Sequence, residues 1–156
     1  MVGSAQRTEV WPRFLELWER LLRASGEPGT VILVEGVRDR RSLRALHVPG
    51  PIHLLHRGQR ISDVAEGLSR DVRRVIVLTD WDTEGGHFAR RLRDFLAPAP
   101  VALDLEFRRE LARVLRGEVS HVEGLAGWAR RTADRVGAPL DHFLGEIERA
   151  ERAPTG

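Results

Sequence analysis

The 156-residue chain contains no cysteine, no tyrosine and no lysine. Without cysteine it has no disulfide, no thiolate metal site and no cysteine nucleophile, and it fits a reducing compartment. Without tyrosine, chemistry that needs a phenolic nucleophile is closed to it. Without lysine, all 25 basic residues are arginine, which makes planar, bidentate contacts with phosphate or carboxylate and stays charged near neutral pH. Genome composition or thermal adaptation accounts for that usage more simply than selection for phosphate binding. No apolar run approaches the ~20 residues of a membrane span, so no membrane contact is expected. "MVGSAQRTEVW" lacks the apolar centre of a signal peptide, so a cytoplasmic location is expected.

What is present describes a globular protein. Hydrophobic residues make up 42% and charged residues 31%, and the length suits one domain, residues 1–156, with a real core. The 25 basic and 23 acidic residues leave a net charge of only +2. That is modest for a stand-alone nucleic-acid binder.

Periodicity divides the chain. "TEVWPRFLELWERLLRASGEPG" predicts an N-terminal helix over 8–26, capped by Thr8, with Pro12 in its first turn and Gly26 ending it. Its Trp11, Phe14, Leu15, Trp18, Leu21 and Leu22 recur at helical spacing, as core or docking residues. Residues 31–105 then alternate. "TVILVEG", "GPIHLLH", "RRVIVLTD" and "APVALDLEF" read as strands. "RDRRSLRALHV", "SDVAEGLSRDV" and "EGGHFARRLRDFLAP" read as helices. This order predicts an α/β fold, a four-stranded parallel sheet with helices on both faces. Residues 106–151 predict a helical C-terminal extension: "FRRELARVLRG", "HVEGLAGWARRTADRVG" and "PLDHFLGEIERAER". The terminal helices are candidates to clamp nucleic acid or to form a protein or homodimer interface.

Chemistry is concentrated where the strands end. In an open parallel sheet, ligands bind beyond the carboxyl ends of the strands. The first strand ends in Glu35 and Gly36. The third ends in "DWDTEGG", with Asp80, Asp82 and Glu84 at alternate positions. If these strands are neighbours, the acids share one edge, and each raises the pKa of the others. A hard divalent cation relieves that repulsion, and magnesium favours carboxylate, water and phosphate oxygens. A solvated turn is the plainer reading of the same stretch. Gly36, Gly85 and Gly86 either admit a ligand close to the backbone or merely punctuate loops. An EF-hand beginning at Asp80 fails, because its twelfth position is Arg91 rather than glutamate. A haloacid-dehalogenase-like phosphatase would use Asp80 as nucleophile, but that motif normally lies on the first strand.

"VILVEGVRDRRSL" and "VIVLTDWDTEG", in this order on strands one and three, resemble the two signature motifs of the Toprim domain. That domain is found in topoisomerases, bacterial-type primases, overcoming-lysogenization-defect nucleases and 5S ribosomal RNA maturases. The resemblance spans about residues 31–105, a compact unit of ~100 residues. With "FRREL" and "VEGL" further on, the chain is most similar to small stand-alone archaeal Toprim proteins. The resemblance implies that Glu35 is the general acid/base. It implies magnesium, or manganese in its place, on Asp80 and Asp82, with Glu84 matching the third acid of some members. Val37 stands where many members have lysine, and Arg38, one residue on, is the candidate replacement. The absent tyrosine excludes a self-sufficient topoisomerase in this chain, and a primase would need a zinc-binding region. Nuclease-like phosphodiester chemistry on RNA or DNA is therefore expected. A non-catalytic nucleic-acid-binding module of a larger assembly and a small-molecule phosphatase are the alternatives.

Phosphate-positioning candidates near the same edge are Arg38, Arg57, Arg60, Arg90 and His87, with a solvated surface role the simpler one for each. His53 and His56 lack metal-ligand spacing and read as structural. Arg108 and Arg109 either extend the basic surface or pair with Glu106 and Glu110. Glu123, in "SHVEGL", reads as a helix cap.

Overall fold

The computed structural model describes residues 4–55, 61–68, 71–81, 83–96, 101–138 and 140–152. Seven helices and four strands follow one another among these residues. They are α1 (Ser4–Ser25), β1 (Thr30–Val34), α2 (Val37–Ala45), β2 (Ile52–Leu54), α3 (Ile61–Gly67), β3 (Arg74–Val77), α4 (Thr83–Leu96), β4 (Ala102–Asp104), α5 (Glu106–Val114), α6 (Leu125–Val136) and α7 (Leu140–Arg152). All strands are parallel and lie in the order β2-β1-β3-β4. The two central strands are thus the two that end in the acidic motifs. β2 lies outside β1 and β4 outside β3, so the strand order reverses between β1 and β3, where a crevice opens in such sheets.

The period of two along a strand separates the core into two layers. Ile32 and Val34 of β1, with Ile76 and Leu78 at β3, face a cluster completed by α1, α2, α5, α6 and α7. Leu33, Val75 and Val77 face the other side, against Val64 of α3 and Ala89, Leu92 and Leu96 of α4. Helices cover both faces because each central strand is apolar on both sides.

The terminal helices belong to the first layer. Trp11, Phe14, Leu17, Trp18 and Leu21 of α1 are buried. Phe14 meets Trp128 of α6 edge to face, with ring centroids 4.9 Å apart. The Trp18 indole donates to the Leu46 carbonyl at 3.0 Å. The apolar stripe of α1 is therefore covered by its own chain rather than presented for docking. Ion pairs between Arg20 and Glu110 tie α1 to α5 on the outside, where such pairs contribute little.

Two expectations about helix ends are corrected. α1 begins at Ser4, so Thr8 is not its cap and Pro12 sits inside the helix, with its ring exposed. Burial of the aromatic stripe on either side of Pro12 outweighs its local cost. Residues 121–124 are not helical, and α6 starts only at Leu125. The Asp80 side chain takes up the amide of Val122, which holds this stretch as a loop. Gly50 meets a packing limit: a Cβ there would lie 2.0 Å from the Ser25 carbonyl oxygen. Gly137, at φ 69°, ends α6 in the left-handed conformation. Among the described residues no helix is long and apolar enough to cross a membrane.

Candidate metal centre

The register brings the ends of β1 and β3, and with them Glu35 and Asp80, to the same edge of the sheet. Leu33 pairs with Val77, and the Leu78 amide donates to the Leu33 carbonyl at 2.9 Å. Glu35 follows two residues after Leu33 and Asp80 three after Val77, so both leave the sheet at the same edge. Both are half-buried.

A third acid joins them that the sequence reading passed over. Asp39 lies in the first turn of α2, is 7% exposed, and accepts a hydrogen bond from the Gly36 amide at 3.0 Å. This is the carboxylate half of a capping box. Burial pushes the Asp39 carboxyl above the usual carboxylate range. The Gly36 amide opposes that shift, and the like charges of Asp80 and Glu123 reinforce it. Asp39, Asp80 and Glu123 therefore sense one another across the ends of β1, β3 and the loop before α6. The signal was available: an acid three residues after an N-cap glycine is a helix-start pattern.

The backbone around Asp80 is fixed from α5. The Arg108 guanidinium donates from Nε to the Thr79 carbonyl at 3.2 Å and from Nη2 to the Asp80 carbonyl at 2.7 Å. Arg108 is thus neither a free surface cation nor merely a partner for neighbouring acids. It is a tie between α5 and the end of β3. The Asp80 Oδ1 accepts the Val122 amide at 3.1 Å, which orients the carboxylate.

The remaining candidates are placed as follows. Arg38 is exposed and pairs with Glu123 at 3.4 Å, so Glu123 is an ion-pair partner. The N-cap of α6 is Gly124, with no side-chain cap. Val37, at the position where the resemblance leads one to look for lysine, is 44% exposed beside the edge. Arg90 and His87 lie on the outer surface of α4, with the Arg90 Nη2 3.0 Å from the His87 Nδ1. Glu84 belongs to the first turn of α4, but its side chain lies outside the described atoms, as does that of Thr83. Asp82, Arg57, Arg60 and His56 lie outside the described residues. His53 is half-buried on β2, with its ring near Gly67. Gly36 is extended, and a Cβ there would meet nothing within 4 Å, so packing within the chain does not require glycine at that position.

Among the described residues, no group of three or more histidine, cysteine, aspartate or glutamate side chains has the geometry to hold a metal. The donor chemistry still fits a hard cation. Glu35 and Asp80 bring oxygen donors to one edge, beside an Asp39 carboxyl that burial, reinforced by the charges of Asp80 and Glu123, pushes toward the protonated form.

No family model matches the chain. It is 39% identical to a UPF0292 protein of Thermococcus gammatolerans over 135 residues, covering 86% of this chain and 97% of that protein. It is 36% identical to a UPF0292 protein of Thermococcus kodakarensis, covering 85% of this chain and 94% of the other. Among solved structures it is similar to a putative protein from Aquifex aeolicus. That likeness has a TM-score of 0.59 and 30% identity, and it covers 69% of this chain and 94% of the other.

Proposed function

The chain belongs to the UPF0292 family, and we propose that it is a magnesium-dependent, Toprim-like protein acting on nucleic acid in the cytoplasm, with nuclease-like chemistry on RNA or DNA phosphodiesters. One observation carries the proposal: β1 and β3 are adjacent, parallel and central, and each delivers a carboxylate to the same edge. Neither motif alone would distinguish a metal site from a solvated turn.

Asp80 and Asp82 would hold magnesium, or manganese in its place, with Glu84 contributing directly or through water. Bound there, the ion would neutralise phosphate charge and activate a water. Glu35, one strand over, moves the proton. Asp39 holds the start of α2 against Gly36 and so sets the path of the turn that carries Glu35. Arg108 fixes the Asp80 backbone, and the Val122 amide turns the carboxylate. Arg38, in the first turn of α2 just after Glu35 and Gly36, is a candidate cation for a phosphate once released from its weak exposed pair with Glu123.

Incubation of the protein with panels of structured RNA and DNA, in magnesium and separately in manganese, tests the reading. Cleavage lost in Glu35→Ala and in Asp80→Ala is expected, and no cleavage of any substrate with either metal would refute the nuclease. Salt-dependent binding that survives both substitutions would instead identify a non-catalytic module. That alternative draws support from Asp80, one of whose oxygens is already occupied by a protein amide. Phosphate release from small phosphoesters, lost in Asp80→Asn, would identify a phosphatase.

A further inference from the structure

A cavity of about 680 Å³ opens beside the acidic edge, between Trp81 and the C-terminal end of α5 with the turn that follows it. Its volume falls in the range of ligand sites, roughly 300–1,000 Å³. Trp81 is the residue next to Asp80, and its indole donates to the Val119 carbonyl at 2.9 Å, which pins the ring in the cavity wall. Leu115 and Val119 add apolar lining, and Arg113 and Arg116 add two cations. Among the described residues neither arginine makes a side-chain hydrogen bond or ion pair, although Arg20, Arg23, Arg74 and Arg109 all pair with acids. Glu118, the acid among the described lining residues, directs Oε2 to the Trp128 indole at 3.2 Å. The cavity therefore presents one fixed aromatic ring and two guanidinium groups that make no side-chain hydrogen bond or ion pair among the described residues.

The connection to the acidic edge is covalent and short. Arg108 grips the Asp80 backbone, Ala112 follows it by four on the same face of α5, and Arg116 lies in the turn just beyond the end of that helix. Loop 119–122 touches both features, with Val119 on Trp81 and Val122 on Asp80.

Resting on the reading of the acidic edge as a site for nucleic acid, we infer that this cavity receives the phosphorylated terminal nucleotide of the bound strand. The base lies against Trp81 and the terminal phosphate lies between Arg113 and Arg116. Aromatic stacking tolerates any base. Two arginines match a terminal phosphate, which carries more charge than an internal phosphodiester and exposes more oxygens. The acidic edge and the cavity would then divide the work, one engaging a phosphodiester and the other the strand's end.

The test uses three single strands of one sequence: 5′-phosphorylated, 3′-phosphorylated and unphosphorylated. Each is titrated against the full chain in magnesium, with tryptophan fluorescence as the readout. One phosphorylated strand should bind on the order of tenfold more tightly than the unphosphorylated strand, as charge-assisted hydrogen bonds allow. That advantage should vanish in the Arg113→Ala/Arg116→Ala double variant, which should bind all three strands alike, while its thermal unfolding stays unchanged. Trp81→Phe should remove most of the fluorescence change. Equal binding of all three strands, or an advantage that survives the double variant, overturns the inference. Cleavage without an end preference would sink the cavity and leave the acidic site standing. An end preference without cleavage in either metal would do the reverse to the nuclease reading.

Discussion

Arg108→Met offers the clearest perturbation of the candidate site, because it keeps much of the side chain's bulk and removes every donor. In the native fold the guanidinium satisfies two carbonyls at the end of β3, Thr79 at 3.2 Å and Asp80 at 2.7 Å. Thr79 is fully buried, and Asp80 is half-buried. A hydrogen bond from a charged donor contributes about 1.5–3 kcal/mol, and an abandoned buried acceptor costs about 1–3 kcal/mol. Water can reach the half-buried Asp80 carbonyl, and the longer bond to Thr79 is the weaker one. The expected net loss is therefore about 2 kcal/mol, well short of two full bonds. At about 2–4 °C per kcal/mol for a chain of this size, melting should fall by about 4–8 °C. In urea the midpoint should fall by about 1 M, for a slope near 2 kcal/mol/M, which should itself stay unchanged. Arg108→Lys, with a single donor group, should fall between Met and the native residue. Manganese affinity measured by calorimetry should weaken in parallel, since Arg108 sets the backbone from which Asp80 projects. A melting temperature within about 1 °C of the parent would show that the two carbonyls are satisfied without Arg108. Loss of stability with unchanged manganese affinity would show that the tie is structural and does not aim the carboxylate.

Asp39→Asn tests the electrostatics of the same edge. Because burial and the charges of Asp80 and Glu123 raise the folded carboxyl above its ordinary value, the folded state holds its proton to higher pH than the unfolded chain. Stability associated with Asp39 is thus present in acid and lost as pH rises from the ordinary carboxylate range through the raised value. In chelator-treated buffer Asp39→Asn should therefore gain stability relative to the parent at pH 7 and lose that gain toward pH 3.5, and denaturation showing the opposite trend would refute the assignment. Saturating magnesium or manganese should raise the parent's stability, by about 2.7 kcal/mol at a hundredfold excess over the dissociation constant; a shift that persists in Asp80→Asn would place the ion elsewhere. Gly50→Ala should destabilise by about 3 kcal/mol or more, since the new Cβ would lie 2.0 Å from backbone that cannot turn aside. Unfolding at the parent's temperature would mean that the β2 approach yields freely.

Much of the fold was legible because periodicity is a local signal. The apolar run "RRVIVL" reads as a strand, and the Trp11–Phe14–Trp18 spacing reads as a helix with core or docking residues on one face; the strand is apolar on both faces and the helix face is buried. Helix starts were less legible. Pro12 suggested a first turn, but burial of the stripe around it carried the helix on to an earlier start at Ser4. "HVEGL" looked helical until Asp80, 42 residues away, claimed the Val122 amide.

The same division holds for the site. By itself the sequence determined which acids stand at the strand ends, because strand boundaries and residue types are written locally, and it determined that no tyrosine, lysine or cysteine is there to act beside them. Only the tertiary structure decided that β1 and β3 lie side by side, that Asp39 is buried among like charges, and that Arg108 holds the β3 end. It alone decided that Arg113, Arg116 and Trp81, some 30 residues apart in the chain, enclose one cavity. Strand order, burial and long-range hydrogen bonds depend on where distant segments meet, and no local pattern of residues encodes that.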